Sequence, residues 1–226
     1  MYQELPVTGH PVRRMGPKPS PPSVITMDHQ RAAHTSTLLT AGPLAGKVMI
    51  AGGGGGSSIF LKDSSAEIYD PVSGQFGLLT SFLNEARAMH TATVLANGSV
   101  LLAGGFNGSV AIAAGALSGA SGVISNSAEI FDPKTMEFNC IGGFNTDTLR
   151  CNQSMTASRA GQSATLFTTG KMRNKLLIAG GIGGSNPQAK GSPLSSAEIF
   201  NPTTSTFVAT SPMTISRALH TATELR

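Results

Sequence analysis

Tryptophan is absent from this chain, and tyrosine occurs only at Tyr2 and Tyr69. A surface that stacks nucleobases needs aromatic faces beside a concentrated basic stripe. The formal charge is only +4 over 226 residues, and Arg13, Arg14 and Lys18 all fall in the first twenty. Nucleic acid is therefore not an expected partner. No apolar run is long enough to cross a bilayer, so the chain is not expected to span a membrane. The opening residues also lack the apolar centre of a secretory signal. The compartment stays open, with a secreted or cell-surface setting available if the chain belongs to a longer protein.

Charged residues make up only 12%, whereas glycine reaches 27. That balance suits short strands joined by many turns. Residues 1–22 are polar and proline-rich, which predicts an extended or disordered lead-in to a domain over 23–226. There are two cysteines, Cys140 and Cys151, flanking a glycine-containing insert. In an oxidising compartment they can close a loop worth about 2–3 kcal/mol of chain entropy. Two unrelated thiols in an insert are the equal alternative.

What is abundant is self-similarity, which fixes an architecture before any single residue is read. Units begin near residues 31, 87, 159 and 217 and cover about 31–82, 87–144, 159–212 and the start of a fourth, 217–226. Each complete unit opens with a strand of small residues (34–39, 90–95 and 162–167). An apolar strand follows at 48–51, 100–103 and 176–179, and its uniform apolarity predicts cover on both faces. Asn97-Gly98 between these two strands signals a hairpin. Each second strand ends in a glycine pair, Gly52-Gly53, Gly104-Gly105 or Gly180-Gly181, suited to positive φ or close backbone approach.

Inserts without a period follow at 54–64, 106–126 and 182–195. The third strand then reads Ser-Ala-Glu-Ile-Tyr/Phe each time and ends in Asp70-Pro71, Asp132-Pro133 or Asn201-Pro202, a turn opener. A fourth strand carries one aromatic, Phe76, Phe138 or Phe207. The order R-x-x-H-T-A-T, apolar strand, A-G-G, S-A-E-I-[YF]-[DN]-P and aromatic resembles the kelch repeat, in the bacterial form similar to the propeller domain of galactose oxidase. The resemblance covers 27–226. It implies an all-β fold, a partial β-propeller of three four-stranded antiparallel blades with incomplete pieces at both ends.

A closed propeller needs at least four blades. The chain is thus expected either to be part of a longer protein or to be an arc that self-associates. The resemblance to galactose oxidase also raises copper-radical chemistry, which implies two tyrosines, two histidines and a cysteine. No such ligand set maps onto this chain, so neither cofactor nor metal nor catalytic residue is expected here. The rival is a fragment of a larger carbohydrate-active or oxidase enzyme whose catalytic residues lie outside it.

Arg31, Arg87, Arg159 and Arg217 precede the first strands, and Glu67, Glu129 and Glu198 open the third strands. On one end of a blade they should meet as charge-assisted pairs, with an anion-binding arginine ring as the alternative. His34, His90 and His220, with Gln162 in the third copy, are expected to bond to neighbouring strands rather than share a metal. The run Gly52–Gly56 lacks the lysine and the helix of a phosphate loop. Binding is expected in the inserts, because loops on a rigid scaffold carry function. Phe106, Asn107, Val110, Ile112, Leu117, Ile182 and Asn186 are the candidate contact residues for a protein or carbohydrate partner.

Overall fold

A computed structural model of the chain describes residues 25–55, 59–113, 116–152, 154–184 and 191–225. The expected lead-in at 1–22 lies outside these residues, as does Asn186. Every regular element among the described residues is a strand.

Three four-stranded antiparallel sheets repeat one plan. The first blade is Thr35–Leu38, Val48–Ala51, Ala66–Asp70 and Gln75–Leu78. The second is Thr91–Val94, Val100–Ala103, Ala128–Asp132 and Glu137–Cys140. The third is Ser163–Leu166, Leu176–Ala179, Ala197–Asn201 and Thr206–Thr210. Sequence order and spatial order coincide within each blade; the inserts join the second strand to the third, and short turns join the first to the second and the third to the fourth. Asp70, Asp132 and Asn201 open these turns as their composition implies, their side chains accepting from the backbone N–H of Val72, Lys134 and Thr203.

The period of two along a strand decides which neighbour each side chain meets. Met49, Ala51, Ala66 and Ile68 of the first blade pack against Val100, Leu102, Phe131 and Phe138 of the second. The other face of the second blade repeats this, with Leu101, Ala103, Ala128 and Ile130 against Leu176, Ile178, Phe200 and Phe207. Val100–Ala103 is thus covered on both sides, each residue at most 1% exposed. Burying each such aliphatic side chain is worth about 1.5–3 kcal/mol. The aromatic of the fourth strand lies across from the aromatic of the third, with ring centroids 5.0 Å apart in Tyr69–Phe76, 4.8 Å in Phe131–Phe138 and 4.7 Å in Phe200–Phe207.

The inserts are not the loops expected. Phe106–Ala113 and Ala116–Ile124 form an antiparallel hairpin, which Ile59–Lys62 and Gly54–Gly55 of the first insert extend into a four-stranded sheet. Gly, Ser and Ala have weak strand preference, so no alternation announced these strands. Backbone pairing sets their register. This sheet ties the inserts of the first two blades together.

A second linkage runs from blade to blade. Met89 N–H donates to Ala33 C=O, Gly161 N–H to Met89 C=O, and Leu219 N–H to Gly161 C=O. All four residues have positive φ, between 54° and 63°. Only one of them is glycine, so three non-glycine residues hold a strained conformation that the blade-to-blade bonds sustain.

Candidate functional site

The repeated charges fall where the strands converge. Arg31 Nη2 lies 2.7 Å from Glu67 Oε1, Arg87 Nη2 2.8 Å from Glu129 Oε1, and Arg159 Nη2 2.8 Å from Glu198 Oε1. Nη1 of each arginine donates to the carbonyl of the first glycine of its pair, at 2.8 Å for Gly52, 2.6 Å for Gly104 and 2.7 Å for Gly180. The hydroxyl of Ser65, Ser127 or Ser196 accepts from Nη2. Each glutamate also accepts from backbone N–H groups ahead of its arginine: Asp28 and His29, Asn84 and Glu85, Thr156 and Ala157. The pair therefore staples the lead into strand one to the end of strand two and the start of strand three, within a single blade.

These arginines are buried and their Nη donors are committed to the blade, which leaves them poorly placed for an anion-binding ring. Arg217, at the same position of the fourth unit, is exposed and has no carboxylate partner among the described residues.

The glycine pairs are the joints between blades. A Cβ on Gly52 would lie 2.5 Å from Arg87 O, one on Gly104 2.4 Å from Arg159 O, and one on Gly180 2.5 Å from Arg217 O. The second glycine donates its N–H to that same arginine carbonyl of the following unit. Beside each joint a side chain reaches back to the preceding blade. His90 Nε2 lies 3.0 Å from Thr35 Oγ1, Gln162 Nε2 donates to Ala103 C=O at 2.8 Å, and His220 Nε2 lies 3.0 Å from Ser163 Oγ. Among the described residues no three His, Cys, Asp or Glu side chains gather closely enough to hold a metal ion.

Burial, reinforced by the Arg87 guanidinium, pushes the His90 pKa down to about 3. Unfolded, His90 protonates near 6.5. Its contribution is thus complete above that pH and is lost as pH falls from 6.5 toward 3, at about 1.4 kcal/mol per pH unit. His90→Gln copies the natural Gln162 and is expected to remove this slope while leaving neutral-pH stability nearly unchanged. Denaturant titrations at several pH values check it; an unaltered acid slope in the variant would show that other groups cause it.

A second carboxylate supplements two of the three staples. Asp63 Oδ2 accepts from Ser65 Oγ at 2.9 Å and lies 3.5 Å from Arg31 Nη2. Glu85, 4% exposed, accepts from Asn107 Nδ2 and from the hydroxyls of Ser125 and Ser127, with Arg87 Nη2 at 3.9 Å. Burial opposes the charge on Glu85, but Arg87, these donors and nearby Arg150 hold its pKa below the usual value. The third blade has Ala157 and Leu194 at the corresponding places.

Glu85 forms the floor of a cleft of about 790 Å³ between the second and third blades. Val123–Asn126 and Gly183–Gly184, from the two inserts, line it along with Thr156, Ala157 and Ser158. A further wall comes from the hairpin of Phe144–Asn145 and Arg150–Cys151, whose base is closed by the Cys140–Cys151 disulfide. Its polar side chains are Ser125, Asn126, Ser127, Asn145, Thr148, Asn152, Thr156 and Ser158, with the Arg150 guanidinium and the Glu85 carboxylate, set among apolar groups from Val123, Ile124, Ala157 and Leu194.

Of the candidate contact residues, Asn107 is buried and engaged with Glu85, whereas Phe106 and Ile182 are half-buried beside the bridges Ala88↔Phe106 and Ala160↔Ile182. The backbones of Val110, Ile112 and Leu117 belong to the insert hairpin; their side chains lie outside the description. The residues lining the cleft from the disulfide hairpin were not foreseen. Their one signal was the cysteine pair bracketing them.

Residues 164–214, almost the whole third blade, match the family described as the Kelch motif. The third blade is a kelch repeat. The other two blades share its strand order, staple and glycine joint, and the chain is an all-β, partial kelch-type propeller. The solved structure of YjhT aligns with 83% of this chain and 54% of its own, with a TM-score of 0.56 and 14% identity. At that identity the likeness is one of fold, and this kelch chain spans about half the length of the YjhT chain. No curated protein matches it.

Proposed function

We infer that this kelch-repeat chain is a binding module whose partner, a protein or a carbohydrate, seats in the cleft between the second and third blades, without catalysis by the chain itself. One observation carries this reading: the cleft is walled by two inserts and a cross-linked hairpin, all additions to the repeat plan, while the residues common to every repeat serve the blades. Its hydroxyl and amide lining offers many donors and acceptors to a polar partner. The disulfide fixes the outer wall and fits an oxidising compartment.

The test uses Thr148→Trp and Thr156→Trp, which fill the cleft from exposed positions, and Val72→Arg at a turn on the opposite end of a blade. Immobilised wild type is screened against glycans and candidate proteins, and the affinity for each ligand found is then measured. A loss of roughly tenfold or more in the cleft variants alone is expected. Equal binding by all variants, or chemical conversion of the bound ligand, would overturn the reading.

A further inference from the structure

The hairpin on the cleft wall repeats a turn that every blade already has. In the blades, Asp70, Asp132 and Asn201 stand across from Gln75, Glu137 and Thr206, and Gly74, Met136 or Ser205 precedes the returning strand at positive φ. In the hairpin, Asn145 stands across from Arg150, and Leu149 has φ of 52°. Asn145 Oδ1 accepts from the N–H groups of Asp147 and Thr148, as Asp70 Oδ1 does from those of Val72 and Ser73. Phe144 and Cys151 occupy the places of the paired aromatics, and a disulfide to Cys140 replaces the ring contact. The turn plan thus shapes this hairpin without any positive charge at position 150, where the blades carry Gln, Glu or Thr. Arg150 is surplus to the fold.

Arg150 is nevertheless half-buried in the cleft, where it is the one cationic side chain among the described lining residues. Its guanidinium makes no hydrogen bond or ion pair with a described residue. Glu85, on the cleft floor, lies beyond ion-pair distance of it, and that carboxylate already accepts from Asn107, Ser125 and Ser127. Asn126 and Asn152 commit Nδ2 to the carbonyls of Met155 and Gly142, which leaves the side-chain oxygen of each open to a hydroxyl donor. We propose that the cleft takes an acidic saccharide, with its carboxylate or sulfate ester on Arg150 and its hydroxyls on the neighbouring amides and hydroxyls. The fork of guanidinium N–H groups suits such an oxyanion, and its position is fixed by the cross-linked hairpin that carries it. One cation answers one anionic group, and about 790 Å³ is the size of a small-molecule site, whereas a strongly acidic peptide calls for several cations. This inference rests on the cleft being the binding site and adds the charge and class of the ligand.

Titration calorimetry of the full chain with its disulfide intact tests the proposal. The probes are an oligogalacturonate and its uncharged methyl ester, a heparin-derived oligosaccharide and its desulfated form, and a short polyglutamate peptide. At least one acidic saccharide is expected to bind roughly tenfold or more tightly than its partner of lower charge, and which pair shows the gap tells carboxylate from sulfate. Arg150→Gln should lose that gap, while Arg150→Lys, which keeps the charge but not the fork, should lose less. Circular dichroism verifies that both variants are folded. Added salt should weaken wild-type binding to the acidic form alone, a readout that needs no variant. Charged and uncharged forms bound equally, an Arg150→Gln variant without loss, binding of polyglutamate alone, or no binding by either acidic saccharide would each overturn the proposal. The first three of these leave the cleft standing as the binding site. Binding weakened by Arg150→Gln but not by Thr156→Trp would instead overturn the cleft reading while supporting Arg150 as the anion anchor.

Discussion

Glu198→Ala is expected to destabilise the chain by about 3–5 kcal/mol, the usual cost of stranding one partner of a buried ion pair. Glu198 is fully buried against Arg159, and no other carboxylate lies within ion-pair distance of that guanidinium among the described residues. Its removal also leaves the N–H groups of Thr156 and Ala157 without their acceptor. Glu129→Ala makes the same cut in the second blade, but Glu85 stands 3.9 Å from Arg87 and can take up part of the charge. A smaller loss, about 2–4 kcal/mol, is expected there. Denaturant unfolding of the two variants measures the difference, and adding Glu85→Gln to Glu129→Ala should remove it. Equal losses in the single variants would mean that Glu85 does not share in holding Arg87, whereas a loss below about half a kcal/mol would mean that the glutamates are not the buried staples described.

The staple shows which parts of this molecule its sequence discloses. Arg87 and Glu129 are 42 residues apart, yet their pairing is legible because both recur at fixed places beside strands of obvious type. The glycine joints are legible for the same reason: Gly52, Gly104 and Gly180 repeat at one place, and each makes one close approach. Features that differ from unit to unit are not. The residues at positive φ linking blade to blade are Ala33, Met89, Gly161 and Leu219, and nothing in their types marks a shared backbone conformation. Beside the staples His29 meets Asp63 and Glu85 meets Ser125, and the third blade has Ala157 and Leu194 at the corresponding positions. A polar pair answers a polar residue and an apolar pair an apolar one, but the match emerges only once the spatial pairing is known. The insert strands escaped for a different reason: Phe106–Ala113 and Ala116–Ile124 are held by backbone pairing across a hairpin, and their glycines, serines and alanines carry no alternation. The candidate cleft inherits this illegibility, because inserts and a hairpin build it rather than the repeat.

The joint between blades supplies the other large effect. Gly104→Ala is expected to destabilise the chain by about 3–5 kcal/mol, among the largest effects a single substitution produces. Two costs combine. Gly104 has φ of 65°, a conformation that charges an L-residue about 1–2 kcal/mol. The added Cβ would also lie 2.4 Å from the Arg159 carbonyl oxygen and 2.8 Å from Gln162 Nε2. That carbonyl cannot retreat without breaking its 2.8 Å bond from Gly105 N–H, and Gln162 cannot swing aside without losing Ala103 C=O. Relief therefore requires the second and third blades to part, opening the core around Leu101, Ile178 and Phe200. Gly46→Ala separates the two costs, because Gly46 has φ of 83° with nothing within 4 Å of an added Cβ. It should lose only the conformational part, about 1–2 kcal/mol. Equal losses at Gly104 and Gly46 in denaturant unfolding would mean that the blades do not press together at their glycine pairs, and the joint would then be no tighter than an ordinary turn.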